Sequence, residues 1–286
     1  MVVVHIFAPY IKVYKKNIYM KKLSIVNWNV QRKNPYIGFT SLKKIKTHLS
    51  TLFDDIIILQ EMCNAEKTLK DLPNLTSYNV FIPKLNARKY NRKFGYNFNV
   101  ILSRYPIVQS DEIVFPNFNQ KTVQQNFTRV KIKLGKKHLL IYNCQLTIAK
   151  AGMATRLQQL EYILADARKH KGPVLICGDM NDVVPKTGWE RKIITTIDRS
   201  PKKDMYLKDK LISCEEKELV IDAIKKYGFK EALKTNIPTW SPIRSEMWEM
   251  FKLKLDWFIT KDLEVKKIKL DDYITDHKSI EAECSI

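Results

Sequence analysis

Short apolar runs rich in Val and Ile recur along the chain, each bounded by turn-forming or charged residues: LSIVNWNV, DIIILQEM, YNVFIP, FNVILS, TRVKIKL, HLLIYNCQL, VLICGD, KLDWFIT and EVKKIKL. Runs of this length form strands more readily than helices. IIIL, LLIY and VLIC are apolar on consecutive positions, the pattern of sheet centres covered on both faces, whereas TRVKIKL alternates and predicts one wetter face. Segments with helical spacing lie between the runs. Leu42, Ile45, Leu49 and Leu52 share one face behind a Thr or Ser cap, and Leu157, Leu160, Ile163 and Leu164 share another. A third such segment, EEKELVIDAIKKYGF, is closed by Gly228. The pattern predicts stacked sheets with helices outside.

No internal repeat and no Gly/Ser linker divides the chain, so residues 21–286 read as a single domain, with 183–214 as an excursion from it. Residues 1–20 read as an N-terminal extension, because Met20 runs directly into KKLSIVNWNV and is an alternative start to Met1. Pro9 and Lys12 interrupt the apolar start, which lacks the basic leader of a signal peptide. No apolar run approaches the ~18 residues of a membrane span. Five cysteines without a close pair argue against a disulfide framework and a zinc knuckle, and imply a reducing, cytoplasmic setting.

Fifty Lys and Arg against thirty Asp and Glu give a net charge of +20, which favours a polyanionic partner, nucleic acid or an anionic membrane surface. A lysine-rich composition alone produces the same charge.

The strands finish in polar residues. Asn27 and Asn29 close SIVNWNV, Gln60 and Glu61 close IIILQE, Asn143 and Gln145 close LLIYNCQ, and Asp179 and Asn181 follow VLICG. Asp256 lies in KLDWF, and Asp276 and His277 in YITDHKSI. Polar groups there are costly in a core unless paired or holding a metal. Singly, Asp179 and Asn181 are ordinary turn caps and His277 an ordinary histidine; their repetition points to a shared site. Hard oxygen donors with one imidazole are the inventory for Mg²⁺ or Mn²⁺ holding a phosphate, and not for zinc.

In order, NWNV, LQE, ILSRYPI, NCQL, RLQQL, GDMND, PTW, LDWF and TDH resemble the successive motifs of the endonuclease/exonuclease/phosphatase superfamily, from about Lys22 to the C-terminus. GDMND with TDH, and LDW between them, are the most specific. The resemblance implies an α+β fold of the DNase-I type, a four-layered αββα sandwich of two mixed sheets. It implies that Asn29, Glu61 and Asp276 bind the divalent metal, that His277 is the catalytic imidazole oriented by Asp256, and that Asp179 and Asn181 handle the nucleophile and a phosphate oxygen. Many family members have histidine where this chain has Gln145. Glutamine donates a hydrogen bond to a phosphoryl oxygen but carries no proton or charge.

The segment KLNARKYNRKFGYNFN interleaves Arg88, Lys89, Arg92 and Lys93 with Tyr90, Phe94 and Tyr96. Such a mixture suits a nucleic-acid strand, and equally a solvated loop anchored by its aromatics. Trp28, Trp240 and Trp257 read as packing residues. These observations predict a monomeric, metal-dependent phosphodiesterase, a nuclease acting on DNA or RNA. The alternatives are a phosphatase or phosphodiesterase of small or lipid phosphates, and a catalytically weak nucleic-acid-binding protein that keeps the fold.

Overall fold

The computed structural model describes residues 22–30, 33–34, 38–84, 88–89, 96–118, 126–147, 152–181, 216–234, 237–241, 254–272 and 274–286. The strands are β1 (Lys22–Asn29), β2 (Lys33–Asn34), β3 (Gly38–Phe39), β4 (Ile56–Cys63), β5 (Asn79–Phe81), β6 (Arg88–Lys89), β7 (Tyr96–Ser103) and β8 (Ile107–Val114). They continue with β9 (Asn126–Leu134), β10 (Lys137–Gln145), β11 (Val174–Asp179), β12 (Lys230–Glu231), β13 (Asp256–Lys261), β14 (Glu264–Leu270) and β15 (Ile280–Ser285). Helices are α1 (Leu42–Thr51), α2 (Ala65–Lys70), α3 (Gly152–Ala167) and α4 (Glu216–Lys226).

One sheet runs β14-β15-β1-β4-β7-β5, with β6 also on β7; the other runs β12-β13-β11-β10-β9-β8. Each has one parallel pair at its centre, β1 with β4 and β10 with β11, flanked by antiparallel partners. A parallel pair sends both carboxyl ends to one edge. Asn29 therefore lies opposite Gln60, and Gln145 opposite Asp179. Because β13 is antiparallel to β11, its first residue, Asp256, lies opposite Asp179 at the same edge.

Side chains alternate along a strand with a period of two. Ile25, Ile56, Ile58, Ile141, Leu175, Cys177 and Phe258 form the core between the sheets. The residues between them face outward. Val26, Trp28, Ile57 and Leu59 meet α1 and α2 through Ile45, Leu49 and Leu69, while Tyr142, Val174 and Ile176 meet α3 and α4 through Leu160, Ile163, Val220 and Ile224. The result is four layers, helix on sheet on sheet on helix, as the resemblance implies.

Local chemistry sets the helix ends. Ser41 Oγ accepts from Lys44 N at 3.2 Å, a cap worth about 1 kcal/mol. Gly228, at φ 83°, ends α4 where Phe229 N reaches Ile224 O at 3.0 Å. Among the strands of six or more residues, β8 and β15 fall outside the apolar runs. IVQSDEIV is an edge strand whose polar middle faces solvent, and IEAECS alternates small or apolar residues with Glu281 and Glu283. Residues 1–20 and the 183–214 excursion lie outside the described residues.

A buried ion pair fixes the entry to β13. Lys254 Nζ stands 3.1 Å from Glu231 Oε1, donates to Leu233 O at 3.0 Å, and lies 4.0 Å from the centre of the Trp257 ring. Removing one partner of such a pair costs about 3–5 kcal/mol.

Candidate active site

The gap between the sheets is apolar at one end and becomes polar toward the carboxyl ends of the central strands. The change takes two steps. Asn27, Gln60 and Asn143 form the first, and they do not belong to the cleft. Gln60 Nε2 donates to Asn27 Oδ1 and Asn143 Oδ1, both at 2.8 Å, and Asn143 Nδ2 donates to Leu59 O at 3.0 Å and Val100 O at 3.1 Å. These amides tie the sheets together through one another and through backbone carbonyls, and leave Asn27 Nδ2 and Gln60 Oε1 buried without a hydrogen-bond partner among the described residues.

Asn29, Gln145, Asp179 and Asp256 form the second step, one residue pair further along the same inward faces. Asn29 Nδ2 donates to Asp179 Oδ2 at 3.2 Å across the two sheets. Gln145 Nε2 donates to Glu61 Oε1, a second bridge between the sheets. Alternation alone would turn Glu61 outward after the inward Gln60. The pairing of β4 with β7 shifts register between Leu59 and Met62, and Glu61 takes φ 55°, which swings its carboxylate back toward Gln145. Holding a glutamate there costs of order 1–3 kcal/mol.

Asn181 is the second site residue with positive φ, at 50°. Its N–H bonds to Asp179 Oδ1 at 2.9 Å and its Nδ2 to Leu146 O at 2.9 Å, which closes a tight turn after β11. Gly178 makes this turn possible. At φ 132°, a Cβ on it would lie 1.9 Å from Cys144 O, so only glycine lets β10 approach this closely.

His277 Nδ1 lies 2.8 Å from Asp256 Oδ2, and both side chains are almost wholly buried. Burial disfavours the imidazolium, yet the carboxylate of Asp256, and then those of Asp276 and Asp179, outweigh it and push His277 up to about 10. Two threonines that were not singled out from sequence hold this pair. Thr239 Oγ1 accepts from Leu255 N at 3.0 Å and Asp256 N at 2.9 Å. Thr275 Oγ1 lies 3.0 Å from Asn29 O and accepts from His277 N at 3.1 Å and Trp28 Nε1 at 3.3 Å. Trp240 Nε1 donates to Asp276 Oδ2 at 3.0 Å. The three tryptophans Trp28, Trp240 and Trp257 are buried, as packing residues should be, and two of them also orient site groups. Motif letters around PTW and TDH carried the only sequence signal for these supports.

Burial, and the nearby charges of Asp179 and Asp276, raise the carboxyl of Glu61 above the usual glutamate range, against the hydrogen bond from Gln145 and the charge of His277. Carboxylates gathered this way favour a cation. Asn181 Oδ1 and Asp256 Oδ1 are buried oxygens without a hydrogen-bond partner among the described residues. Among the described residues, no three His, Cys, Asp or Glu side chains meet at metal-ligand spacing. Thus an all-protein cage is absent there, and the donors suit an ion such as Mg²⁺, which keeps several waters and takes one or two carboxylates.

The backbone puts Arg88 and Lys89 in β6, opposite Asn97 and Tyr96 of β7, while Asn97 and Phe98 lie opposite Cys63 and Met62 just beyond Glu61. These backbone positions therefore lie near Glu61 along the first sheet. Arg92 and Lys93 lie outside the described residues.

Comparison with known proteins agrees with this architecture. No curated protein matches the chain. Among solved structures, an endonuclease/exonuclease/phosphatase from Beutenbergia cavernae superposes with a TM-score of 0.68 at 13% identity, covering 93% of this chain and 72% of the other. One from Bacteroides vulgatus gives 0.64 at 16%, covering 92% and 98%. TDP2 from D. rerio, complexed with single strand DNA product, gives 0.60 at 16%, covering 93% and 99%. At these identities the likeness is one of fold. The model of the Endonuclease/Exonuclease/phosphatase family matches residues 26–199, more than half of the sequence, and the chain belongs to that family.

Proposed function

We propose that the cleft between the sheets hydrolyses phosphodiesters with the help of a divalent cation, and that the substrate is nucleic acid. One observation carries the reading: Asn29–Asp179 and Gln145–Glu61 bridge the two sheets at the same edge where Asp256 holds His277. Glu61, Asn29 and Asp276 would hold Mg²⁺ or Mn²⁺. Such an ion, when bound, neutralises charge on the phosphate oxygens.

The remaining work falls to the chain's own groups. Asp179, fixed by Asn29 and by the Asn181 N–H, aligns an attacking water and takes its proton. His277, kept protonated by Asp256, presents Nε2–H to a phosphoryl oxygen and stabilises charge that grows there while the P–O bond to the leaving oxygen breaks and that oxygen takes its proton from solvent. Asn181 contributes an amide to the same oxygens. Gln145 positions Glu61 and does not transfer a proton itself, so the cleft works with one imidazole where many relatives use two.

Nucleic acid as substrate is favoured by the net charge of +20, by the basic segment that includes Arg88, Lys89 and Tyr96 near Glu61, and by the DNA product in the D. rerio relative. Among the described residues, no helix is long and apolar enough to cross a membrane. Cys63, Cys144, Cys177 and Cys284 are buried and free, which suits a reducing setting such as the cytoplasm. Residues 21–286 would form one domain.

The test is to offer plasmid DNA, single-stranded RNA, abasic DNA and an inositol phosphate side by side, with Mg²⁺ and with EDTA. Mg²⁺-dependent cleavage of a nucleic acid, falling steeply with added salt, is expected. Turnover of the inositol phosphate alone would transfer the chain to the small-phosphate branch of its family.

A further inference from the structure

The strongest unassigned feature lies at the end of the second sheet opposite the cleft. Here the turn between β9 and β10 meets the loop between α3 and β11. His170 Nε2 stands 3.4 Å from His138 O, and Leu140 N bonds to Pro173 O at 3.0 Å. The end of β13 closes the group, with Lys261 Nζ donating to His170 O at 2.8 Å and Arg168 O at 3.3 Å. The sequences that meet are KIKLGKKH, residues 131–138, and RKHKGP, residues 168–173, which together contain no carboxylate.

Part of this charge has a structural explanation. α3 ends at Ala167 and α4 at Lys226, so both helices bring their negative ends to this pole, and Arg168, Lys169, Lys225 and Lys226 answer them. Lys133, Lys136, Lys137 and Lys171 do not. They are exposed, lie on no helix, and are in no ion pair among the described residues. Of the acids beside these two segments in sequence, the nearest, Asp166, is engaged by Arg129 Nη1 at 2.6 Å and by Tyr142 OH at 2.9 Å, while Asp262, exposed, follows Lys261 at the end of β13. Burial, with the charges of Lys131 and Lys261 added, holds His170 below the usual imidazole range despite its contact with the His138 carbonyl.

We propose that this pole, the turn 135–138 together with the loop 168–171, binds the phosphate backbone of double-stranded nucleic acid at a surface separate from the cleft. β10 runs from Lys137 at the pole to Gln145 in the cleft, about 25–30 Å at the rise of an extended strand, so the two surfaces hold different lengths of polymer. The chemistry selects a duplex. Single strands are held by aromatic platforms, whereas of the rings beside the pole Tyr227 is covered by Arg168 at 5.7 Å and Lys226 at 5.5 Å, and Phe229, under Lys261 at 6.0 Å, is buried. Membranes are held by apolar insertion beside the charge, yet among the described residues the exposed large apolar side chains Phe53, Val80, Tyr162 and Leu219 lie outside these two segments, and Val108, at the bulge of β8 opposite Ile132 and Lys131, is a single small one beside the pole. What remains is a group of flexible cations carried on one turn and one loop, suited to contact with phosphates. The inference does not depend on the reading of the cleft.

The test compares the full chain with Lys133→Glu/Lys136→Glu/Lys137→Glu/Lys171→Glu, reading binding of a fluorescent 30-base-pair duplex in EDTA over a range of salt. Turnover of bis(4-nitrophenyl) phosphate with Mg²⁺ reports on the cleft separately. The variant should bind the duplex at least ~10-fold more weakly, with a log–log salt slope shallower by up to about 3.6, since each of the four phosphate contacts contributes about 0.9. Its small-diester turnover should match that of the parent. Unchanged duplex affinity and slope would overturn the proposal, and so would a variant that loses binding to phosphatidylserine vesicles while keeping the duplex. A parent chain that binds duplex through the pole but turns over no diester would sink the cleft reading and leave this one standing.

Discussion

Asn29 Nδ2 donates to Asp179 Oδ2 over 3.2 Å, joining the last inward residue of β1 in one sheet to the last inward residue of β11 in the other. Both side chains are buried, and a hydrogen bond to a charged acceptor in that setting contributes about 1.5–3 kcal/mol. The bond also fixes which way the carboxylate of Asp179 faces. Asn29→Ala should therefore lower phosphodiester turnover by about 10²-fold with a native circular dichroism spectrum. Turnover within a factor of two of the parent would remove Asn29 from the site.

The pairing of His277 with Asp256 sets a pH dependence. Burial works against the imidazolium, but the Asp256 carboxylate chiefly raises His277 to about 10, so a rate that needs protonated His277 persists through neutral pH and falls above it. Replacing Asp256 by Asn removes that support. The alkaline limb of the kcat/KM profile should then move down by at least about one pH unit, with an accompanying loss of rate. An unmoved limb would show that the imidazole acts without its partner.

Gly178 bears on stability. The Cβ of Gly178→Ala meets a backbone carbonyl at 1.9 Å and occupies a φ that L-residues avoid. Crowding and backbone strain together predict a loss of roughly 3 kcal/mol, read as a lower denaturant midpoint. A midpoint equal to the parent's would mean that β10 and β11 separate there freely.

A second carboxyl pair, away from the cleft, gives stability its own pH trend. Burial, and then the hydrogen bond and charge of Asp271, raise Glu281 from the ordinary 4.5 to about 7. Between those values the folded chain holds a proton that the unfolded chain has released. The contribution is complete below the lower value and is lost as pH rises through the higher one. Glu281→Gln stays neutral throughout. The Tm of the parent relative to this variant should decline between pH 4.5 and pH 7, and a flat difference would count against the shared proton.

The central strands are legible in the sequence because β4, β10 and β11 are apolar on consecutive positions, which few other structures tolerate. β8 and β15 are not, because the edge position of one and the glutamates of the other break the apolar pattern. At the candidate site, Asn29, Gln145, Asp179 and Asp256 are legible as polar residues at strand ends with a motif around each, and His277 through the TDH motif alone, since it lies in an isolated bridge to Trp240 ahead of β15. Asn27, Gln60 and Asn143 look the same in sequence, and only the contacts between sheets separate them from the cleft. The swing of Glu61 was hidden too, since a bulge has no residue signature here. The basic pole was missed because its charges come from two segments about 35 residues apart that only the parallel pairing of β10 and β11 brings together.

Phosphodiester turnover by the parent chain and by Asp179→Asn, measured side by side with Mg²⁺ and with EDTA, bears most directly on whether the cleft between the sheets is hydrolytic. The parent should turn over substrate with Mg²⁺ and not with EDTA, and the variant should lose at least ~10²-fold at an unchanged Tm. Near-parental turnover by Asp179→Asn, or equal rates with and without the chelator, would contradict it.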